Sequence, residues 1–153
     1  MDLLFDAPRV NALPVVGEDA RYPISRIFCV GRNYAAHAAE MGNEVDREAP
    51  WYFTKSAQAY CASGETVPYP PGTANFHHEM ELVVALGGDA FQVRVEDAAA
   101  AVFGYACGLD MTRRDRQQEG KDNRRPWSLG KDIENGAVIG ALTRAEGFGP
   151  IGP

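Results

Sequence analysis

The 153 residues are enough for one domain with its own core. Hydrophobic residues make up 45% and charged residues 24%, the balance of a soluble globular protein, and the net charge of −6 excludes a general nucleic-acid binder. The longest apolar stretch, Ala98 to Leu109, is interrupted by Gly104 and Gly108 and falls short of the roughly twenty residues of a membrane span.

The N-terminus, MDLLFDAPRV, carries acids early and lacks a long apolar run, so no signal peptide is predicted and a cytoplasmic setting is expected. Cys29, Cys61 and Cys107 are widely spaced with no C-x-x-C, which predicts free thiols; Cys29 and Cys107 fall in apolar runs and are expected to be buried. Residues 1–25 are punctuated by Pro8, Pro14 and Pro23 and read as an N-terminal arm with an edge strand. Arg26 to Val30 has a strand pattern that stops at Gly31.

From Gly31 to Gly42, Asn33 as N-cap, a run of alanines and a closing glycine predict a short helix. On it His37 and Glu40 are three apart and share a face. Such a pair has the parts of a general base with its orienting carboxylate, although solvated pairs of this kind are common. The charged loop after it, up to Pro50, would let the helix act as a lid. Trp51 to Lys55 is an aromatic strand in which Lys55 is the one chemical handle, and Pro68 to Gly72 is a turn or loop.

The central stretch is HHEMELVVALG, His77 to Gly87. Its short β-branched run, Leu82 to Leu86, closed by two glycines, predicts a buried strand. Glu79 and Glu81 then project from one face. Either that face is solvated and the carboxylates are idle, or two anions beside a core strand hold a hard cation such as Mg²⁺ or Mn²⁺. An Ala-rich helix is predicted from near Val95 to just before Gly104. It precedes a buried strand, Tyr105 to Leu109, that Asp110 terminates and that offers a third oxygen ligand. Arg114 and Gln117 share a face if their segment is helical, and Arg113 to Arg116 would suit an anionic substrate. The stretch Lys121 to Arg125 reads as a basic loop, and Lys131 follows from a turn begun by Gly130. For Arg113, Arg114, Arg116 and Lys131 taken singly, a solvated charge is the favoured reading. Phosphate-loop, nucleophile-elbow and zincin motifs are missing from the sequence.

Five ordered segments, FCVGRNYAAHAAEMG, WYFTKS, NFHHEMELVVALGG, FGYACGLDMTRRDRQ and RPWSLGKDIENGAVIG, together resemble the fumarylacetoacetate hydrolase family over residues 26 to 143. The likeness is greatest to its small bacterial acylpyruvate-cleaving members. It implies a mixed α+β fold, mainly β, of the mixed β-roll or sandwich type with short helices. Residues 26–153 would be the N-terminal portion of the catalytic domain. Family members continue beyond the point where this chain stops, with more strands and a Gly-Thr-Pro loop over the pocket, so a roll incomplete at its C-terminus is expected. The resemblance further implies that Glu79, Glu81 and Asp110 bind Mg²⁺ or Mn²⁺, and that His37 and Glu40 activate water. Lys131 would join them in catalysis, while Arg114, Gln117 and Lys55 contact substrate. The implied activity is metal-dependent hydrolysis of a carbon–carbon bond in a 2,4-dioxo acid such as fumarylpyruvate, giving pyruvate and a carboxylic acid, in a homodimer. Oxaloacetate decarboxylation, hydroxymuconate-type isomerisation and an inactive shortened chain are the alternatives.

Overall fold

Two short antiparallel pairs open the fold: β1 (Ala12–Pro14) with β2 (Arg21–Pro23), and β3 (Ile27–Gly31) with β4 (Trp51–Lys55). Pro14 and Pro23 end their strands, where the missing N–H costs least. The main sheet is built from β5 (Tyr60–Ala62), β6 (Phe76–Leu86), β7 (Val102–Arg113), β8 (Ala137–Ile139) and β9 (Thr143–Arg144). Its order is β5-β8-β7-β6, with β9 also on β7; β5 and β8 run parallel and the other pairs antiparallel. Helices are short: α1 (Arg114–Asp122), α2 (Ser128–Lys131) and α3 (Ala145–Phe148), with 3₁₀ turns at Ala57–Ala59 and Val95–Ala101. This computed structural model describes residues 2–31 and 50–148, and among them no helix is long and apolar enough to cross a membrane. The mainly-β mixed class expected from the sequence is the one found.

The β6–β7 ladder is the spine. It runs from Phe76 opposite Arg113 to Leu86 opposite Val102, with one register shift between Ala85 and Leu86. Pleating sends successive side chains to opposite faces, and this corrects several expectations. The run Leu82–Leu86 is not buried throughout: Ala85 is buried and Val83 partly so, while Leu82, Val84 and Leu86 are exposed on the other face with Met80. Asp110 does not end its strand. Pairing with β6 carries β7 three residues further, and β8 pairs on the other side as far as Asp110, which places Asp110 inside the sheet. Cys107, opposite Leu82 on the outer face, is exposed; Cys29 is half-buried and Cys61 is the buried thiol.

Helix boundaries also shift. The Ala-rich stretch is an exposed 3₁₀ turn that ends at Ala101, and β7 begins before Gly104. The glycine is required there, because a Cβ would lie 2.4 Å from the Thr143 carbonyl oxygen of β9. In the other direction, α1 runs through Lys121 and Asp122, which the sequence assigns to a loop.

The larger apolar cluster lies on the inner face of the sheet. Leu13, Val15 and Ile24 of the N-terminal segment pack there with Ala85, Ala106 and Ile139 around the fully buried Leu142. The strand Ala12–Pro14 is tied to the same place by backbone bonds, with Leu142 N–H donating to Pro14 O and Val16 N–H to Leu142 O.

At the end of β7 the chain turns into α1, and α2 docks on it. The docking is close enough that a Cβ on Gly130 would lie 2.7 Å from the backbone nitrogen of Gln117 and 2.9 Å from its Cα. Neither backbone can move aside cheaply, so Gly130→Ala is expected to cost about 1–3 kcal/mol. A urea denaturation midpoint equal to that of the unaltered chain would show that the two helices do not depend on this contact.

Candidate active site

Glu79 of β6 stands directly opposite Asp110 of β7, so both carboxylates project from one face. Like charges directly opposed on a ladder repel, and burial worsens the repulsion. Lys131 relieves it from the end of α2. Its Nζ reaches Glu79 Oε2 at 2.5 Å and Asp110 Oδ2 at 2.6 Å, and donates to Thr112 Oγ1 at 2.7 Å. The ring of Phe53 lies beneath the same ammonium, with its centroid 4.9 Å away. Thr112 is fully buried, on the same face as Asp110, and its hydroxyl donates to the Asp110 carbonyl.

Two further cations complete the cluster. Arg114, first residue of α1, pairs through Nη2 with Glu79 Oε1 and donates through Nη1 to Gln117 Oε1 at 2.6 Å. Lys55, last residue of β4, faces Asp110 Oδ1 at 2.9 Å. Burial works against ionising Glu79, but Lys131 and then Arg114 outweigh it and hold its carboxyl down at about 2. Burial, reinforced by Asp110, pushes the Cys29 thiol up to about 12, which favours its protonated form.

These groups line a cavity of about 410 Å³, walled by Phe53, Trp127 and the inner face of β6. Glu81 lines it too, two residues beyond Glu79 on the same face and opposite Gly108. A Cβ on Gly108 would lie 2.7 Å from Val83 Cγ2, so glycine keeps the floor beside Glu81 clear. The structure thus brings together Lys55, Glu79, Glu81, Asp110, Arg114, Gln117 and Lys131, while His37 and Glu40 lie outside the described residues. Among the described residues, no three His, Cys, Asp or Glu side chains stand as a ready-made metal cage. Lys131 spans the gap between Glu79 and Asp110 instead. The donor chemistry nevertheless fits a hard dication, because all three acids offer oxygen. In addition, Asp110 Oδ1 is buried without a hydrogen-bond donor, since Lys55 meets it off the hydrogen-bonding axis.

A family model described as "Fumarylacetoacetate (FAA) hydrolase C-terminal" matches residues 26–151. The chain belongs to the fumarylacetoacetate hydrolase family. Within it, a fumarylpyruvate hydrolase from a Ralstonia species is 50% identical over 109 residues, covering 70% of this chain and 57% of its own length. An oxaloacetate tautomerase of Escherichia coli K12 is 36% identical over 127 residues, covering 83% of this chain and 58% of its own. A crystal structure of fumarylpyruvate hydrolase from Pseudomonas aeruginosa, in complex with Mn²⁺ and pyruvate, superposes with a TM-score of 0.90 at 44% identity. That match takes in 97% of this chain and 65% of the other. The chain therefore spans under three-fifths of the length of these two sequence relatives.

Two members of the cluster escaped the sequence reading. Thr112 lies two residues beyond Asp110, so the same-face rule that paired Glu79 with Glu81 reaches it once β7 is known to continue. Phe53 gave no local signal, because only the docking of α2 brings Lys131 over its ring.

The Glu79 carboxyl supplies a pH test on the metal-free chain. Its pKa is depressed on folding, so its contribution to stability is present above about 4.5, the ordinary carboxyl value, and is lost as pH falls toward about 2. Denaturant midpoints of Glu79→Gln in EDTA should lie below those of the unaltered chain near neutrality and converge with them across that window. A gap that stays constant down to the lower limit would mean that Glu79 is not held ionised.

Proposed function

We propose that this chain carries the catalytic cluster of a divalent-metal-dependent hydrolase that cleaves a carbon–carbon bond in a 2,4-dioxo acid such as fumarylpyruvate, giving pyruvate and a carboxylic acid. The observation that carries this reading is the balanced carboxylate–cation cluster, in a chain half identical to a fumarylpyruvate hydrolase over the matched residues. Glu79, Glu81 and Asp110 would hold Mg²⁺ or Mn²⁺. When bound, that ion supplies Lewis-acid polarisation of the 2-oxo group and stabilises the negative charge left when the bond breaks.

The remaining roles follow from the placement of the side chains. Formal charges of Glu79, Glu81 and Asp110 cancel those of Lys55, Arg114 and Lys131, so a site that gains a dication turns positive and attracts an anionic oxo acid. Arg114 and Gln117, already hydrogen-bonded to each other, present a guanidinium and an amide suited to a carboxylate. Lys131 is held by Thr112 and by the ring of Phe53 with its proton donors turned toward the cluster, where it steadies developing negative charge and can deliver a proton to the pyruvate carbanion. By the family resemblance, His37, with Glu40 as its partner, would take a proton from the attacking water. A homodimer and a cytoplasmic setting belong to the same proposal.

A second reading has its own support. Relatives that are oxaloacetate tautomerases match most of this chain, and moving one proton between enol and keto forms needs Lys131 but no attacking water. Purified protein should consume fumarylpyruvate and release pyruvate with Mg²⁺ or Mn²⁺, and EDTA should stop it. Interconversion of oxaloacetate tautomers without pyruvate release from any acylpyruvate would sink the hydrolase reading in favour of the second. His37→Ala should lower hydrolysis by about 10²–10⁴-fold and leave Mn²⁺ affinity nearly unchanged; loss of the metal instead would show that His37 has been given the wrong task.

A further inference from the structure

Lys55 stands apart from the other cations of the cluster. Its side chain is only 1% exposed, and its ammonium is ringed by protein oxygens. Nζ donates to the carbonyl of Met111 at 3.1 Å and to the carbonyl of Lys131, and its charge faces Asp110 Oδ1 at 2.9 Å. Two of the three ammonium donors are taken by main-chain carbonyls and the charge is matched by Asp110, so the group is turned toward protein oxygens.

The three oxygens come from two elements that must agree. Asp110 and Met111 belong to β7, whereas Lys131 closes α2. A helix of four residues cannot hold its own orientation, and its last carbonyls have no partner within it. Lys55 supplies one of those partners from β4. The same ammonium keeps Asp110 turned so that its other oxygen meets Lys131 Nζ at 2.6 Å. Both the backbone and the side-chain partner of the catalytic lysine are thereby tied to one buried charge.

We propose that Lys55 is a positioning residue: by joining Asp110 and Met111 of β7 to the last carbonyl of α2, it sets the Asp110 carboxylate and the Lys131 ammonium as one unit, without itself touching substrate. This takes the place of the substrate contact expected for Lys55 from the sequence, and it rests on the metal role proposed above for Asp110. Partners of this kind, one step behind a ligand, are worth about 10–100-fold in metal affinity when lost.

The test is a Mn²⁺ titration of the full chain, followed by the electron paramagnetic resonance signal of free Mn²⁺, with Lys55→Met beside the unaltered protein. The dissociation constant should rise about 10- to 100-fold in the folded variant, and kcat should fall with KM little changed. A variant that has merely lost stability melts earlier yet keeps its Mn²⁺ affinity below the melting range. Unchanged or tighter Mn²⁺ binding overturns the proposal, and a rise in KM alone would return Lys55 to the substrate. If Lys55→Met does not fold, Lys55→Gln keeps N–H donors for the carbonyls, loses the charge, and is titrated in the same way with the same expectation. An unaltered chain that takes up no Mn²⁺ overturns the metal reading and this one together. Uptake by the unaltered chain with equal uptake by the variant overturns only the role of Lys55.

Discussion

Two carboxylates facing each other across a sheet are the constraint from which the rest of the site follows. Glu79 and Asp110 are paired by the β6–β7 register, and neither can leave its strand. A buried and a partly buried anion so placed need positive charge between them, and Lys131 provides it. The demand reaches outward through the chain. Lys131 arrives only because α2 docks on α1, and α2 docks only because Gly130 lets its backbone touch that of Gln117. Arg114 enters the cluster because α1 begins where β7 ends, which sets its guanidinium beside Glu79.

The ladder also explains why the site and the core share one face. Inner positions of β6 pass from Glu79 and Glu81 to Val83 and Ala85, so a single strand carries the carboxylates of the cluster at one end and core residues at the other. The opposite face of the same strand carries Met80, Leu82, Val84 and Leu86, all exposed among the described residues. An apolar run on a pleated strand has two sides. Burial of one says nothing about the other.

Much of this was legible from residue order. The same-face spacing of Glu79 and Glu81 and the helical spacing of Arg114 and Gln117 rest on local periodicity, and the five motif blocks on residue identity and order; both survive whatever the tertiary arrangement. Boundaries were read less well. Asp110 looked like a strand end because a charge follows an apolar run, yet ladder pairing with β6 carries β7 past it to Arg113. Cys107 looked buried because its neighbours are apolar, yet the pleat turns it outward.

By itself, the sequence determined the family, the mainly-β class and the acidic and basic side chains available to the cluster, since these depend on residue identity and short-range spacing. Only the tertiary structure decided how those charges are matched. Lys131 bridges Glu79 and Asp110 across gaps of 52 and 21 residues, and Lys55 reaches the Lys131 carbonyl across 76. Contacts that distant leave no periodic trace in the chain. They are set by strand register and helix docking, which are properties of the packed whole.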